Sequence, residues 1–168
     1  MLNHYSQLTN KKAQKLTIEN YCKLYSEIHG LDTISLRYFN IYGERQKITG
    51  AYAPVIGMFI SQILNNQPMT IRGDGEQRRD FIYVGDVVSA NILSMSPKKV
   101  GFGQVMNIGT GKNYSVNEIA EWMGGETTNI EPRIEPRETL LDSGKMKSIF
   151  DWKPTIDLKD WLKDENNV

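Results

Sequence analysis

The residues best suited to chemistry lie in one stretch, Arg72 to Val87, which reads RGDGEQRRDFIYVGDV. Arg78 and Arg79 follow a turn in which two glycines allow positive φ, and they precede an apolar run at 81–84 that is typical of a short buried strand. A guanidinium is a planar fork of donors that stays charged, so an arginine fixed at a sheet edge suits a phosphate or diphosphate. The alternative is a solvated charge pair with neighbouring carboxylates, which is the commoner arrangement on residue type alone.

Composition places the chain among ordinary globular proteins. Its 168 residues are 39% hydrophobic and 24% charged, and twenty basic residues balance twenty acidic ones. This balance predicts no nucleic-acid partner and no binding to an anionic membrane. The single Cys22 excludes an internal disulfide, and no apolar run approaches a membrane span, so we expect a cytoplasmic protein. His4 and His29 lack neighbouring metal-ligand residues, and no metal site is expected.

Local patterns predict alternating helices and strands that would position the arginines. The predicted helices are 12–29, 53–64, 86–95, 115–123, 142–150 and one beginning at Asp157, and the predicted strands are 31–39, 69–72, 81–84, 104–108 and 127–133. Asp86 and Asp142 stand at capping positions, and Ser115 with Glu118 forms a capping box. The run 109–111, Gly-Thr-Gly, predicts a turn and not a phosphate loop, because it has too few glycines and no following Lys-Ser/Thr.

Four motifs, in this order along the chain, resemble those of the nucleotide-sugar epimerases and dehydratases, the extended short-chain dehydrogenase/reductase family. They are LRYFNIYG at 36–43, GDGEQRRDFIYVGDVVSA at 73–90, NIGTG at 107–111, and a closing helix with Trp-Lys-Pro between Lys145 and Pro154. The resemblance covers about residues 12–164. It implies an α/β fold, in which a partial Rossmann-type parallel sheet is joined to the small α/β substrate-binding domain of the extended short-chain dehydrogenases.

The same resemblance implies a division of the chain. Residues 1–11 form a divergent amino-terminal segment, and residues 12–50 are a remnant of the dinucleotide-binding domain, with one helix and one strand. Residues 51–168 are mainly the substrate-binding domain, and residues 80–108 return to the Rossmann part.

Cofactor-binding and catalytic roles follow from the resemblance for three residues. Lys15 matches the lysine of the family's Tyr-x-x-x-Lys motif, which acts in catalysis and binds the nicotinamide ribose, while Lys11 stands at the tyrosine position and Tyr5 has the wrong spacing. Tyr38 and Phe39 would border the nicotinamide. Judged from the residues alone, Lys15 is equally well an exposed helix lysine, and two aromatic residues at a strand end are more often part of the core.

Binding of the substrate diphosphate is implied for a second set. Asn40 and Arg79 match residues that contact the diphosphate, and Glu135 matches an acid that acts with an arginine to clamp the diphosphate and ribose. Arg133 lies one place off the usual spacing for that arginine, so either Arg133 or Arg137 would serve, and the sequence does not choose between them.

Contacts with the nucleotide are implied for a third set. Pro54 and Val55 open the helix that contacts the nucleotide, although a packing role is as compatible with their residue types. Thr70 and Arg72 flank the position of the base, where Arg72 would stack its planar guanidinium in place of the family's usual aromatic side chain. Glu44 replaces the proline usual after Tyr-Gly.

The sequence contains no G-x-x-G-x-x-G turn, which is the element that brings a helix N-terminus to the pyrophosphate of NAD. NAD is the cofactor of the intact family, and its binding by this chain alone is not expected. We therefore expect the carboxyl-terminal, substrate-binding half of an NAD-dependent, UDP-glucose 4-epimerase-like enzyme that acts on a nucleotide-diphosphate sugar and is impaired alone.

Several alternatives stay open at this stage. The chain would also fit a fragment of a dTDP-sugar dehydratase or of a UDP-glucuronate decarboxylase, or a gene remnant. A non-catalytic nucleotide-sugar-binding module is a further possibility, in which the chain completes a separately encoded amino-terminal half. Family members commonly form homodimers through helices that include the one at 12–29, so a homodimer is another possible partner state.

Overall fold

The computed structural model describes residues 10–50, 52–96, 101–132, 134–142 and 144–164, with side chains from residue 13 onward. The helices are α1 (Asn10–His29), α2 (Val55–Leu64), α3 (Val84–Ser94), α4 (Val116–Met123), α5 (Gly144–Phe150) and α6 (Leu158–Lys163). The strands are β1 (Ile34–Tyr38), β2 (Asn40–Tyr42), β3 (Met69–Arg72), β4 (Arg78–Tyr83), β5 (Gln104–Ile108), β6 (Asn113–Ser115) and β7 (Thr127–Ile130). Helices alternate with strands that pair largely in parallel, which confirms the predicted α/β class.

The chain divides into two compact units. The first comprises residues up to Arg37 together with Asn91–Met106, and the second comprises Tyr38–Ala90 together with the chain from Asn107 onward. The assignment of residues 12–50 to a dinucleotide-binding domain, and of residues 51–168 mainly to a substrate-binding domain, stays a prediction.

In the first unit, α1 is tied to the segment that leads into β1. The Thr33 hydroxyl donates to the Cys22 carbonyl at 2.9 Å and pairs with the Ser26 hydroxyl at 2.7 Å. Gly30 ends the helix, with φ 63° and its amide donating to the Ser26 carbonyl at 3.0 Å. Several large apolar side chains of α1 are nonetheless exposed: Ile18, Tyr21, Tyr25 and Ile28 share one face of the helix, and Leu16 lies on another.

In the second unit, the core lies between two small sheets and three helices. One sheet has the order β2-β4-β6, with β2 parallel and β6 antiparallel to β4, and the other pairs β3 with β7 in parallel. Helices α2, α4 and α6 pack on these strands and bury a cluster of large apolar side chains, which include Tyr42, Phe59, Met69, Ile119, Leu158 and Trp161. This packing fixes the ends of β3 and β4, where the glycine turn and the paired arginines lie.

Two local predictions are corrected by the structure. The predicted strand 31–39 is shorter than expected, because β1 spans only Ile34–Tyr38, and a separate strand, β2, begins at Asn40. Helix α3 begins at Val84, so Asp86 lies inside its first turn and does not cap it. The buried Asp86 carboxylate instead accepts from the Thr155 amide at 3.0 Å and the Thr155 hydroxyl at 2.7 Å, which anchors the chain after Trp-Lys-Pro.

Along the described ranges, no helix combines the length and the apolar character needed to cross a lipid bilayer.

Candidate functional site

The ends of β3 and β7 place two chain segments on either side of one hollow. These strands run parallel, with Arg72 opposite Ile130, so their carboxyl ends reach the same edge. The Gly73 amide donates to the Ile130 carbonyl at 2.9 Å, and the Asn129 side chain donates to the Gly73 carbonyl at 2.7 Å. The hollow has a volume of about 320 Å³ and is lined by Arg72, Gly73, Asp74, Gln77, Pro132, Glu135 and Arg137.

The glycine turn allows the chain to border this hollow and then enter β4. Gly73 and Gly75 have φ values of +64° and +73°, which confirms the positive φ predicted for this turn. Asp74, between them, accepts from the Glu76 amide at 3.0 Å. The turn therefore directs the Asp74 carboxylate to a fixed place beside the hollow.

Arg79 is the more deeply placed of the two tandem arginines. Its side chain is only 14% exposed, and its Nη2 donates to the Glu135 carboxylate at 2.6 Å. Its Nη1 donates to the carbonyl of the preceding residue at 2.8 Å. The structure thus pairs Arg79 with Glu135, whose predicted arginine partner was Arg133 or Arg137.

Asn40 lies on the strand next to Arg79. The strand β2 runs parallel to β4 with Asn40 opposite Phe81, and the Asn40 side chain donates to the Asp80 carbonyl at 2.7 Å. Neither Asn40 nor Arg79 is among the described residues that line the hollow. Both belong to the neighbouring strand pair of β2 and β4.

Arg137 reaches across from the 132–137 segment to the glycine turn. Its Nη1 lies 2.8 Å from each oxygen of the Asp74 carboxylate, and both side chains are well exposed. The Glu76 amide and the Arg137 guanidinium hold the pKa of the Asp74 carboxyl below its ordinary value. Two arginines and two acids therefore form alternating ion pairs beside one hollow.

Arg72 differs from these arginines. It ends β3 with an exposed side chain, and among the described residues its guanidinium has no hydrogen-bond or ion-pair partner. Thr70, the other residue predicted to flank the base, is already bonded within the protein, because its amide and hydroxyl pair with Gln62 at 3.1 and 2.9 Å.

The remaining predicted site residues lie elsewhere. Pro54 precedes the first turn of α2, and Val55 packs against the core of the second unit. Tyr38 is 43% exposed at the end of β1, and the Phe39 amide donates to the Ile108 carbonyl at 3.1 Å. Lys15 is exposed on α1 of the first unit. Arg133 and the side chain of Lys11 lie outside the described residues.

The Gly-Thr-Gly run at 109–111 is a turn in which the amides of Thr110 and Gly111 are occupied. The fully buried Asp80 carboxylate accepts from the Thr110 amide at 2.9 Å, the Thr110 hydroxyl at 2.8 Å and the Gly111 amide at 2.8 Å. Donors that a phosphate loop would offer to a ligand are thus committed to a carboxylate of the protein. The acid that follows the tandem arginines therefore has a structural role.

Sequence reasoning did not identify Asp74, Gln77 and Pro132 as part of the hollow. These residues meet Glu135 and Arg137 only because β3 and β7 pair in parallel, across more than fifty residues of chain. A signal was present in the Gly-Asp-Gly turn directly after a predicted strand, since ligands of open α/β sheets bind at the carboxyl ends of strands.

Comparison with known proteins identifies relatives of one kind. The family model described as "NAD dependent epimerase/dehydratase family" matches residues 5–109. A Methanocaldococcus jannaschii protein, named provisionally as a UDP-glucose 4-epimerase, is 43% identical over 164 residues, which cover 89% of this chain and 52% of that protein. A UDP-glucuronate 4-epimerase of Thermodesulfobacterium geofontis is 34% identical, over 83% of this chain and 43% of its own length.

Solved structures give the same result. The UDP-glucose 4-epimerase of Thermotoga maritima, solved with UDP-glucose, matches with a TM-score of 0.82 and 35% identity over 90% of this chain and 50% of that one. The UDP-N-acetylglucosamine 4-epimerase of Methanobrevibacter ruminantium matches with a TM-score of 0.81 and 36% identity over 91% and 51%. The chain thus spans about half the length of the relatives it matches.

Proposed function

The chain belongs to the NAD dependent epimerase/dehydratase family, and on this premise we propose that it is the carboxyl-terminal, substrate-binding half of a UDP-glucose 4-epimerase-like enzyme. The observation that carries the proposal is the set of alternating arginines and carboxylates around the hollow at the ends of β3 and β7. A guanidinium already held by a carboxylate is placed to exchange that partner for a diphosphate oxygen.

The proposed pose follows from the distribution of charge. Arg79 and Arg137 hold the diphosphate of the nucleotide sugar, with Asn40 beside Arg79 as a further donor. Glu135 accepts from the ribose hydroxyls once Arg79 turns to the phosphates. Arg72 stacks its unpaired guanidinium on the base, because a planar cation over an aromatic ring is attracted by the π-electrons of the ring.

NAD enters this proposal through the family. When bound, it supplies the acceptor and donor of a hydride in sugar oxidation and reduction. Lys15 would bind the nicotinamide ribose, and Tyr38 and Phe39 would border the nicotinamide, which fits the exposed Tyr38 ring. The glycine-rich turn that grips the pyrophosphate is not in this sequence, so we propose that the chain alone binds the nucleotide sugar and not NAD.

A second candidate is a non-catalytic module that completes a separate amino-terminal half. The exposed apolar side chains of α1 support this candidate, because large apolar groups gathered on one helix face favour burial against a partner. Because the relatives include a UDP-N-acetyl-alpha-D-glucosaminuronate decarboxylase as well as epimerases, several nucleotide sugars are compared as ligands.

Isothermal titration calorimetry with the purified chain tests the proposal. UDP-glucose, UDP-glucuronate, dTDP-glucose and NAD are titrated separately. We expect saturable binding of at least one nucleotide-diphosphate sugar, competed by UDP, and none of NAD. The proposal is wrong if circular dichroism shows that the chain is folded and no nucleotide sugar binds at millimolar concentration.

A further inference from the structure

The tandem arginines have separate tasks. Successive residues of a strand point to opposite faces, and Arg79 extends to Glu135 while Arg78 extends away from it. The Arg78 guanidinium donates to both the side chain and the carbonyl of Asn113, at 3.1 and 3.0 Å, and lies 2.8 Å from the Glu118 carboxylate. Arg78 therefore does not point at the proposed ligand.

The backbone of Arg78 holds a segment that we name the strap, residues 134–139. The Arg78 amide donates to the Arg137 carbonyl at 2.8 Å, and the Thr139 amide donates to the Arg78 carbonyl at 3.0 Å. These two bonds form a parallel bridge between Arg78 and Glu138. The backbone of the strap is thereby attached to the edge of β4.

The side chain of Asn113 adds a second link between Arg78 and the strap. Its Oδ1 accepts from Nε of Arg78, and its Nδ2 donates to the Glu138 carboxylate at 2.6 Å. The sequence of contacts is thus Arg78 to Asn113 to Glu138. We name these three side chains the relay.

The strap has little buried surface to order it, and besides the relay its side chains are held by the pairs of Glu135 with Arg79 and of Arg137 with Asp74. Residues 134–138 are exposed, and Ile134 has its whole side chain in solvent. Ordering an exposed segment costs conformational entropy, and a segment held in its binding conformation before the ligand arrives avoids that cost on binding. The strap carries Glu135 and Arg137, which line the hollow.

We propose that Arg78, Asn113 and Glu138 are positioning residues that hold the strap so that Glu135 and Arg137 face the diphosphate-binding hollow. The inference rests on the proposed function for its ligand, but the attachment of the strap is a property of the protein alone. It assigns a role to Arg78 and Asn113 that is distinct from ligand contact.

A reversal of hydrogen-bond polarity tests the relay. Asn113→Asp keeps the acceptor for Arg78 but removes the donor to Glu138 and sets two carboxylates against each other. Adding Glu138→Gln restores a donor and acceptor pair with the opposite direction. Glu138→Gln alone keeps an acceptor for Asn113, and Asn65→Asp, at the exposed end of α2, is a matched control for added charge.

Two measurements are made on each variant. The first is hydrogen exchange at the Thr139 amide, which reports attachment of the strap without any ligand. The second is the affinity for UDP. We expect Asn113→Asp to speed exchange and to weaken UDP binding by about tenfold, since a lost hydrogen bond to a charged group has effects of this order. The double variant should recover both, and both single controls should behave as the wild-type chain.

The proposal is overturned if Asn113→Asp leaves Thr139 exchange unchanged, or if Glu138→Gln fails to restore exchange in the double variant. Failure of the proposed function would look different: exchange would follow the expected order while the wild-type chain bound no UDP. In that case the relay holds the strap, and the assignment of the hollow to a nucleotide sugar is wrong.

Discussion

At the scale of single residues, the two arginines proposed to hold the diphosphate are already bonded to carboxylates. Arg79 donates to Glu135 at 2.6 Å, and Arg137 lies 2.8 Å from both oxygens of Asp74. A diphosphate must therefore compete with acids of the protein. The family resemblance predicted Arg79 and Glu135 as site residues and left Arg137 as an alternative to Arg133. It did not point to Asp74, because the partner of an arginine depends on the register of distant strands.

Replacing Asp74 should strengthen nucleotide binding. Asp74→Asn keeps an acceptor for the Glu76 amide but removes the charge that holds Arg137. An exposed ion pair is weak, so we expect UDP affinity in calorimetry to rise by no more than about fivefold. In an Arg137→Ala background the gain should vanish, and an unchanged gain there would contradict the role of Arg137.

The ion pair between α1 and β1 predicts a pH dependence of stability. Arg37 donates two hydrogen bonds to the Glu19 carboxylate, and these bonds hold the pKa of Glu19 below its ordinary value. A lowered pKa adds stability above the unfolded value of about 4.3, and this stability is lost as pH falls through the folded pKa.

Glu19→Gln should therefore lower the unfolding free energy at pH 7, by about 1 kcal/mol or less because Arg37 is half exposed. The difference from the wild-type chain should shrink below about pH 4.3. Urea denaturation at several pH values measures it. A difference that is constant from pH 7 to pH 3 would argue against the ion pair.

At the scale of elements, the sequence predicted those whose signals are local. Gly30 marks the end of α1, and the capping box marks the start of α4. Asp157, which accepts from the Lys159 amide at 3.0 Å, marks the start of α6. The strands β2 and β6 were missed, because three residues are too short for an alternating pattern. Their places are set by pairing with β4, which is a long-range property.

The capping box of α4 gives a prediction at this scale. The Ser115 hydroxyl accepts from the Glu118 amide at 3.1 Å, and the Glu118 carboxylate accepts from the Ser115 amide at 2.7 Å. Ser115→Ala should lower the unfolding free energy by about 1 kcal/mol, with UDP affinity nearly unchanged. Ser115→Thr, which keeps a capping hydroxyl without adding charge, is the matched control, and equal losses in both variants would show that the cap is not the cause.

At the scale of the whole molecule, the chain matches about half the length of its relatives, and its first unit pairs only β1 with β5 among the described strands. The fold class and family were predictable because four motifs occur in order. The division into two units was not, since it depends on which distant segments pack together.

Turnover should accordingly require more than this chain. With NAD and UDP-glucose we expect no detectable UDP-galactose from the purified protein, by chromatography of the products. We expect chromatography to recover UDP-glucose unaltered, while calorimetry still detects its binding to the chain. Formation of UDP-galactose by the chain alone would show that the parts needed for catalysis are complete in it.

The most direct test of the central claim compares UDP with uridine on the wild-type chain and on Arg79→Lys. The fork of Arg79 is proposed to hold the diphosphate, and uridine lacks phosphate. We predict that the wild-type chain binds UDP more tightly than uridine, and that Arg79→Lys weakens UDP binding by about tenfold or more while uridine affinity is unchanged. Equal UDP affinity in the two proteins, or equal loss for both ligands, would contradict the account.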